Sequence, residues 1–204
     1  MMHNKYVYGL LIMMSVFTVH ANYKASYEWN VLAELKGAYV LPAAHTFRDI
    51  YHNAGEFSGE LTVQLKEERP WFGFASIGVI PLHGKSIGFC TKTNATLIPL
   101  AAGLKYFLDF NPGDLYIGLG VLGAHLKTKD HSSFVISPRS KWGVGGVAKL
   151  GFIFDLPRSW FIDLFSDYAF IKVKFPNKFI CGVQSHKANV SHWMVGLGIG
   201  YRFA

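Results

Sequence analysis

The sequence predicts an all-β fold, an eight-stranded antiparallel up-and-down transmembrane β-barrel, and three observations lead to this prediction. The 204 residues are 50% hydrophobic but only 16% charged, whereas roughly a quarter of the residues of a typical soluble domain are charged. Apolar residues alternate with polar or small residues in several extended segments, as they do in a strand with two different environments. Long and short connections alternate strictly between these segments, which is typical of a barrel in a membrane.

The N-terminal segment has the features of a secretory signal peptide. Lys5 precedes an apolar stretch from Tyr6 to Val19, and Val19-His20-Ala21 forms a small-x-small cleavage site. We therefore expect residues 1–21 to be removed after Sec-dependent export, and residues 22–204 to form a single barrel domain. Beyond residue 21, no run approaches the roughly 20 apolar residues that a membrane helix needs.

Eight strands follow in order. They are predicted at 28–41, 56–66, 71–81, 95–108, 114–127, 141–154, 160–173 and 191–203. Three connections, at 67–70, 110–114 and 155–159, are short and contain proline, as tight turns require. The other four, at 42–55, 82–94, 128–140 and 174–190, are long enough to be external loops. An even number of strands leaves both chain ends on the periplasmic side.

The alternation of side chains is clearest in the last strand. One face of this strand carries Trp193, Val195, Leu197, Ile199, Tyr201 and Phe203. The other face carries His192, Met194, Gly196, Gly198, Gly200 and Arg202. The first, second, sixth and seventh strands alternate in the same way, whereas the third and fifth do so less cleanly and the start of the fourth is ambiguous. Agreement among several strands favours lipid on the apolar face over the core of a soluble sheet.

The tryptophans supply an independent test of this layout. Trp29, Trp71 and Trp160 fall at the predicted periplasmic ends of their strands. Trp142 and Trp193 fall at the predicted external ends. All five are therefore expected in the two aromatic girdles that mark the membrane interfaces.

Charged residues of both signs are predicted to face the barrel interior. This set consists of Glu34, Lys36, Glu60, Lys66, Lys105, Lys149, Asp163, Asp167 and Arg202. An eight-stranded barrel is about wide enough for its interior to be filled by side chains. We therefore predict an ion-paired plug, with a proton or ion pathway through the same charges as the alternative.

Basic residues are concentrated near the external loops of a chain with a net charge of +7. One group surrounds the fourth loop: Lys172, Lys174, Lys178, His186 and Lys187. A second surrounds the third loop: Lys127, Lys129, His131, Arg139 and Lys141. Such a rim would attract lipopolysaccharide phosphates or a polyanionic host ligand such as a sulfated glycan. The alternative is a solvated rim without a dedicated ligand, and nucleic acid is a poor candidate partner in this compartment.

The two cysteines, Cys90 and Cys181, fall in the second and fourth predicted loops. The compartment is oxidising and the number of cysteines is even, so a disulfide is predicted. Pairing requires the two Cα atoms to lie within about 7 Å of each other. Free thiols are the alternative.

Catalytic and metal-binding patterns are weak. His131 and Ser133 lie beside Asp130 in a loop, and Ser191 precedes His192, but both contexts are ordinary for polar residues. The histidines show no metal-ligand spacing, and the glycine-rich stretches lie inside strands rather than before helices, where phosphate-binding loops occur. We expect no enzyme activity, no cofactor and no metal.

The closing segment GLGIGYRF, residues 196–203, resembles the last strand of small Gram-negative outer-membrane proteins. The eight-strand layout is similar to that of OmpX-, OmpW- and OmpA-type barrels. This resemblance implies an outer-membrane location and insertion by the outer-membrane assembly machinery, with Tyr201 and Phe203 in the recognised signal. It also implies a monomer surrounded by membrane lipid and lipopolysaccharide.

Proteins of this kind differ in function, so the fold does not decide the role. The first expectation is a non-enzymatic barrel whose external loops serve surface interaction, adhesion or envelope integrity. The alternatives are an OmpW-like narrow conduit for small molecules and a lipid-modifying outer-membrane enzyme.

Overall fold

The computed structural model describes residues 30–43, 54–66, 70–85, 92–110, 113–130, 139–174 and 187–203. Within these ranges, nine strands make up one sheet. They are β1 (Val31–Pro42), β2 (Ala54–Gln64), β3 (Trp71–Lys85), β4 (Lys92–Phe110), β5 (Gly113–Asp130), β6 (Arg139–Asp155), β7 (Trp160–Lys174), β8 (Lys187–Asn189) and β9 (His192–Phe203). The predicted signal peptide and Trp29 lie outside the described residues.

The sheet closes on itself as an antiparallel barrel of eight long strands. Neighbouring strands pair in chain order from β1 to β7, β7 pairs with β9, and β9 pairs with β1. At the closing seam, Val31 lies opposite Phe203. The short β8 pairs only with the last residues of β7. The eight-stranded antiparallel barrel predicted from the sequence is therefore confirmed.

The two ends of the barrel differ. At one end, here called the turn end, β2 and β3, β4 and β5, and β6 and β7 are joined by short connections. Phe110 pairs with Gly113, so two residues separate β4 from β5. One turn of 3-10 helix, Pro157–Ser159, joins β6 to β7, and Arg158 and Ser159 both have a φ of 64°. The opposite end, called the loop end, carries the longer connections.

Five strands are longer than the apolar pattern predicted, β7 by a single residue and β3 to β6 by more. β3 to β6 contain 15 to 19 residues, whereas about 9–11 residues suffice to cross a membrane. At the loop end, polar residues such as His83 and Asn94 still pair across β3 and β4. Hydrogen bonding between paired strands satisfies the backbone without requiring apolar side chains, and the hydrophobic pattern therefore ends before the strands do.

The outward side chains are apolar and exposed. Leu35, Phe57, Leu119 and Val144 are each at least 70% exposed. Each has a buried sequence neighbour on the inward face, as the alternation of a strand requires: Glu34 and Lys36, Glu56, Gly118 and Gly143. Soluble monomers rarely expose so continuous an apolar surface. Lipid is therefore the environment that suits the outer face. Among the described residues, no helix is long and apolar enough to cross a membrane.

Candidate functional site

The centre of the barrel interior holds a buried charge network with Glu60 of β2 at its middle. Glu60 Oε1 lies 3.4 Å from Lys36 Nζ and also accepts a hydrogen bond from Lys105 Nζ. Its second oxygen, Oε2, lies 2.9 Å from Lys149 Nζ. One carboxylate from β2 therefore contacts ammonium groups from β1, β4 and β6.

A second part of the network surrounds Lys36 of β1. Its Nζ lies 3.0 Å from Asp163 Oδ2 and 3.2 Å from Glu34 Oε2. Tyr116 donates its hydroxyl proton to the same Asp163 oxygen at 2.7 Å. Lys149 extends the network toward the loop end, with Asp167 Oδ2 2.7 Å from its Nζ. Side chains from six of the long strands thus meet across the interior.

A separate ion-paired group lies at the turn end. One guanidinium nitrogen of Arg202 lies 2.8 Å from Asp114 Oδ2 and 2.7 Å from Asp155 Oδ1. Asp155 has a half-exposed side chain, whereas Asp114 is buried. This group links the C-terminal end of β9 to β5 and β6. These two strands lie beyond β7 in the sheet.

The sequence assignment of Lys66 to the interior is wrong. Lys66 is exposed, because β2 ends at Gln64 and the chain has left the strand by residue 66. The interior instead contains Tyr116, Glu56 and Asp114, which the sequence analysis did not place in the charged set. The two-residue alternation of β2 places Glu56 on the same face as Glu60, so this pattern could have assigned Glu56 to the interior.

Apolar layers lie on both sides of the charge network. Toward the turn end, the layer contains Leu32, Phe72, Phe107, Tyr116, Ile153 and Phe161. Toward the loop end, the layer includes Val40, Ile80, Leu82, Leu97, Leu126, Ile171 and Met194. Each of these residues is no more than 7% exposed. The central charge network therefore has packed hydrocarbon on both sides along the barrel axis.

Tryptophans and tyrosines form paired contacts on the outer face near the two ends. Toward the turn end, Trp71 contacts Tyr106 with ring centroids 5.0 Å apart, and Trp160 contacts Tyr201 at 5.5 Å. Toward the loop end, Trp193 contacts Tyr168 at 4.7 Å. Trp142 is 62% exposed and lies 4.9 Å from the His125 ring. These contacts lie near the strand ends, where interfacial aromatic side chains occur in membrane barrels, and their place in two girdles remains a prediction.

The segment that resembles an assembly signal lies on the outer face of β9. Tyr201 pairs with Ala33 and Trp160, and Phe203 pairs with Val31. The Tyr201 and Phe203 rings contact each other with centroids 4.9 Å apart. These contacts lie at the seam that closes the barrel. Recognition of this segment by the assembly machinery remains a prediction.

Several of the basic residues near the loop end are described. Lys127 of β5 and Lys172 of β7 are exposed, and Lys141 of β6 is partly buried. Lys127 and Lys172 lie on the outward face, because their neighbours Leu126 and Ile171 are buried inside. The Lys172 ammonium lies 4.8 Å from the centre of the Phe170 ring. Cation–π contacts of this kind hold a lysine against an apolar surface.

The other basic residues of the two groups fall into two sets. Lys129, Arg139, Lys174 and Lys187 lie on strands near the loop end. His131, Lys178 and His186 lie outside the described residues, as do both cysteines, Cys90 and Cys181. The disulfide therefore remains a prediction.

The described serine–histidine pair does not form a catalytic arrangement. Ser191 donates its hydroxyl proton to Asn189 Oδ1 at 2.5 Å, and His192 Nδ1 lies 2.9 Å from the Val190 carbonyl oxygen. A nucleophilic serine would instead share its proton with the imidazole. Within the ranges that the structure describes, no cluster of three or more His, Cys, Asp or Glu side chains could hold a metal ion.

No family model and no curated protein matches the sequence, but solved structures match its fold. Neisserial surface protein A is 13% identical, with a TM-score of 0.56 over 88% of this chain and 100% of that one. OprG from Pseudomonas aeruginosa is 16% identical, with a TM-score of 0.58 over 86% and 97% of the two chains.

A third match is Ail, the attachment invasion locus protein of Yersinia pestis, in complex with the heparin analogue sucrose octasulfate. It is 16% identical, with a TM-score of 0.52 over 86% of this chain and 100% of that one. The described strands, the apolar outer face and these matches agree on one architecture. The chain has the fold of the small eight-stranded outer-membrane β-barrel proteins, and the outer membrane is the location that this fold and its outer surface support.

Proposed function

We propose that the protein is a closed, non-enzymatic outer-membrane barrel whose external end binds phosphate- or sulfate-bearing glycans. The observation that supports this role most directly is the filled interior. The charge network and the two apolar layers fill most of the barrel axis with side chains. A protein built in this way acts through its outer surface and loops.

The filled interior argues against the conduit alternative. Glu60 alone engages three lysines from three strands, and a solute that passes through the barrel would have to separate them. Breaking a buried ion pair costs about 3–5 kcal/mol when one partner is lost. The enzyme alternative has no support from Ser191 and His192, because the Ser191 hydroxyl donates to Asn189 rather than to the imidazole.

The basic surface on β5 to β7 supports a polyanionic ligand. Lys127 and Lys172 lie on the outward face near the loop end, and in this proposal the end with the longer connections faces the outside of the cell. Arg139 and Lys174 start and end neighbouring strands at the same end. Clustered positive charges attract ligands that carry many negative charges, and they raise the rate at which such ligands associate with the protein. Ail, which shares the fold, was solved with a heparin analogue, and that ligand has the same chemistry.

The proposal is tested by binding of the folded protein to heparin. We expect the double variant Lys127→Ala/Lys172→Ala to bind more weakly by about tenfold, with a shallower dependence on salt, because two charge contacts are lost. Lys66→Ala is the matched control, since Lys66 is an exposed lysine at the turn end. Unchanged affinity in the double variant would contradict the proposal.

Two arms distinguish the sources of the anion. The first arm uses heparin with the barrel in phospholipid vesicles, and the second compares vesicles with and without lipopolysaccharide. A loss confined to heparin identifies a soluble or host glycan as the ligand. A loss confined to lipopolysaccharide identifies its phosphates.

A further inference from the structure

A small cavity lies inside the barrel, between the charge network and the apolar layer of the loop end. Its volume is about 30 Å³, which is enough for about two water molecules. The charge network contributes Lys149 and Asp167 to the lining, and the apolar layer contributes Leu122 and Met194. The wall therefore changes from polar to apolar along the barrel axis.

Three side chains that line the cavity each have a buried atom without a hydrogen-bond partner among the residues that the structure describes. These atoms are Glu56 Oε2, Asp167 Oδ1 and His192 Nε2. Glu56, Asp167 and His192 are 7%, 2% and 1% exposed, respectively. Buried polar atoms of this kind are rare, because an unsatisfied polar atom loses its hydrogen bonds to water without gaining new ones.

All three atoms are hydrogen-bond acceptors. His192 Nδ1 lies 2.9 Å from the Val190 carbonyl oxygen, and that oxygen can only accept. The proton of a neutral imidazole must therefore be on Nδ1, which leaves Nε2 with a lone pair. Ionised carboxylate oxygens likewise only accept. The ammonium of Lys149, at the edge of the cavity, is already engaged by Glu60 and Asp167.

The interior charges are also unbalanced. At the level of the network, five buried carboxyl groups face three buried lysines among the described residues. The acids are Glu34, Glu56, Glu60, Asp163 and Asp167, and the bases are Lys36, Lys105 and Lys149. Uncompensated charge in an apolar interior is strongly unfavourable, and such a group takes up a proton instead.

Among the five acids of the network in the described residues, Glu56 is the one without an ion pair, although Ser58 donates a hydrogen bond to it. The charged groups that act on it are Lys149 of β6, Asp167 of β7 and Lys36 of β1, and none of the ion pairs described above includes Glu56. His192 of β9 borders the same cavity, whereas β3 and β4 contribute the uncharged Ser76, Gly78 and Pro99.

Gly78 provides the space that Glu56 occupies. A Cβ atom at this position would lie 2.5 Å from Glu56 Oε1 and 3.2 Å from Ser58 Cβ. Only a residue without a side chain therefore leaves this carboxyl group in its present place.

We propose that this cavity is a proton-binding site, in which water shares a proton between Glu56 and the acceptors on Asp167 and His192. The proton comes from solvent as the barrel folds, and it forms an O–H bond on Glu56 Oε2 that turns this acceptor into a donor. Water in the cavity supplies donors for the other two atoms. The apolar layers on both sides make the site a proton store rather than a path. This inference does not depend on the glycan-binding surface.

The test is carbon-13 NMR of the full chain, folded in lipid vesicles at neutral pH and labelled at the glutamate carboxyl carbons. We expect a resonance at the position of a protonated carboxylic acid in the wild type, and its loss in Glu56→Gln. The wild-type spectrum alone is decisive if the variant does not fold, because a spectrum with every glutamate ionised would overturn the proposal. Persistence of the protonated resonance at its full wild-type intensity in folded Glu56→Gln would also overturn it.

A second arm replaces sodium with choline at constant pH. We expect the protonated resonance to be the same in both salts. A resonance that disappears when sodium is added would mean that a metal cation takes the place of the proton, which would overturn the assignment.

Discussion

Lys36 Nζ and Asp163 Oδ2 lie 3.0 Å apart inside the barrel, although 127 residues of sequence separate them. They belong to β1 and β7, which both pair with β9. The contact forms only when the barrel closes, because β9 brings the first and seventh strands to one side. The ion pair therefore links the N-terminal and C-terminal parts of the sheet, and the interior network depends on closure.

Removal of Glu60 should strongly destabilise the barrel. Glu60→Ala leaves Lys36, Lys105 and Lys149 without their shared partner. We expect the free energy of unfolding to fall by about 3–5 kcal/mol, the usual cost of an uncompensated buried charge. Urea unfolding in lipid vesicles, followed by tryptophan fluorescence, measures this change.

Asp155→Asn is the matched control for Glu60→Ala. Asp155 also forms an ion pair, but its side chain is 51% exposed. Exposed ion pairs contribute about 0–1 kcal/mol, and we expect a loss of that size. Equal effects of the two substitutions would contradict the importance of burial in the network.

The Tyr116 hydroxyl should contribute measurably to stability. Tyr116→Phe removes the hydrogen bond to Asp163 Oδ2, 2.7 Å away, while retaining the ring that packs on Phe107. A hydrogen bond to a charged group contributes about 1.5–3 kcal/mol, and we expect a loss in that range by the same urea assay. Tyr39→Phe, at a half-exposed position on the outer face, should change stability by less than about 0.5 kcal/mol.

Two adjacent glycines should respond oppositely to alanine. A Cβ at Gly145 would overlap the backbone carbonyl of Phe170 on β7, whereas a Cβ at Gly146 would lie 3.5 Å from the Gly120 oxygen. We expect Gly145→Ala to cost about 1–3 kcal/mol, because strand pairing must shift. Gly146→Ala should be neutral or up to about 1 kcal/mol stabilising, because alanine loses less backbone entropy. A folding yield and urea midpoint that fall equally in both variants would be inconsistent with this geometry.

The cysteines provide a prediction about the loop end. If Cys90 and Cys181 are joined, the chain unfolded in detergent should migrate faster on a gel without reductant than with it. Cys90→Ser should abolish the difference. Identical migration of the wild type in both conditions would mean that the thiols are free.

The strand layout was predictable from sequence because alternation and turn residues are local signals. β9 illustrates this: Trp193 to Phe203 alternate strictly, and the strand spans His192–Phe203. β3 alternates poorly for a physical reason that the structure makes plain. Phe72, Phe74 and Ile80 point inward while Ile77 and Val79 point outward, so both faces are apolar wherever a strand crosses the apolar layers.

The composition of the interior was less predictable. The residue type of Tyr116 does not show whether its side chain faces the lipid or the interior. Tyrosine occurs both in aromatic girdles and inside barrels. Its role depends on Asp163, which approaches from β7, 47 residues further along the chain. Lys66 shows the opposite limitation: the alternation that assigned it inward does not reveal where pairing ends. The register of a strand and the residues at which it ends depend on its partner strand. The sequence pattern of one segment carries no information about that partner.

The filled interior is tested most directly by electrical conductance of the folded wild-type protein in planar lipid bilayers. The packed charge network and the two apolar layers predict no stable current steps above those of the bare membrane. Reproducible open states of the wild type would contradict a closed barrel, and would instead support the narrow conduit.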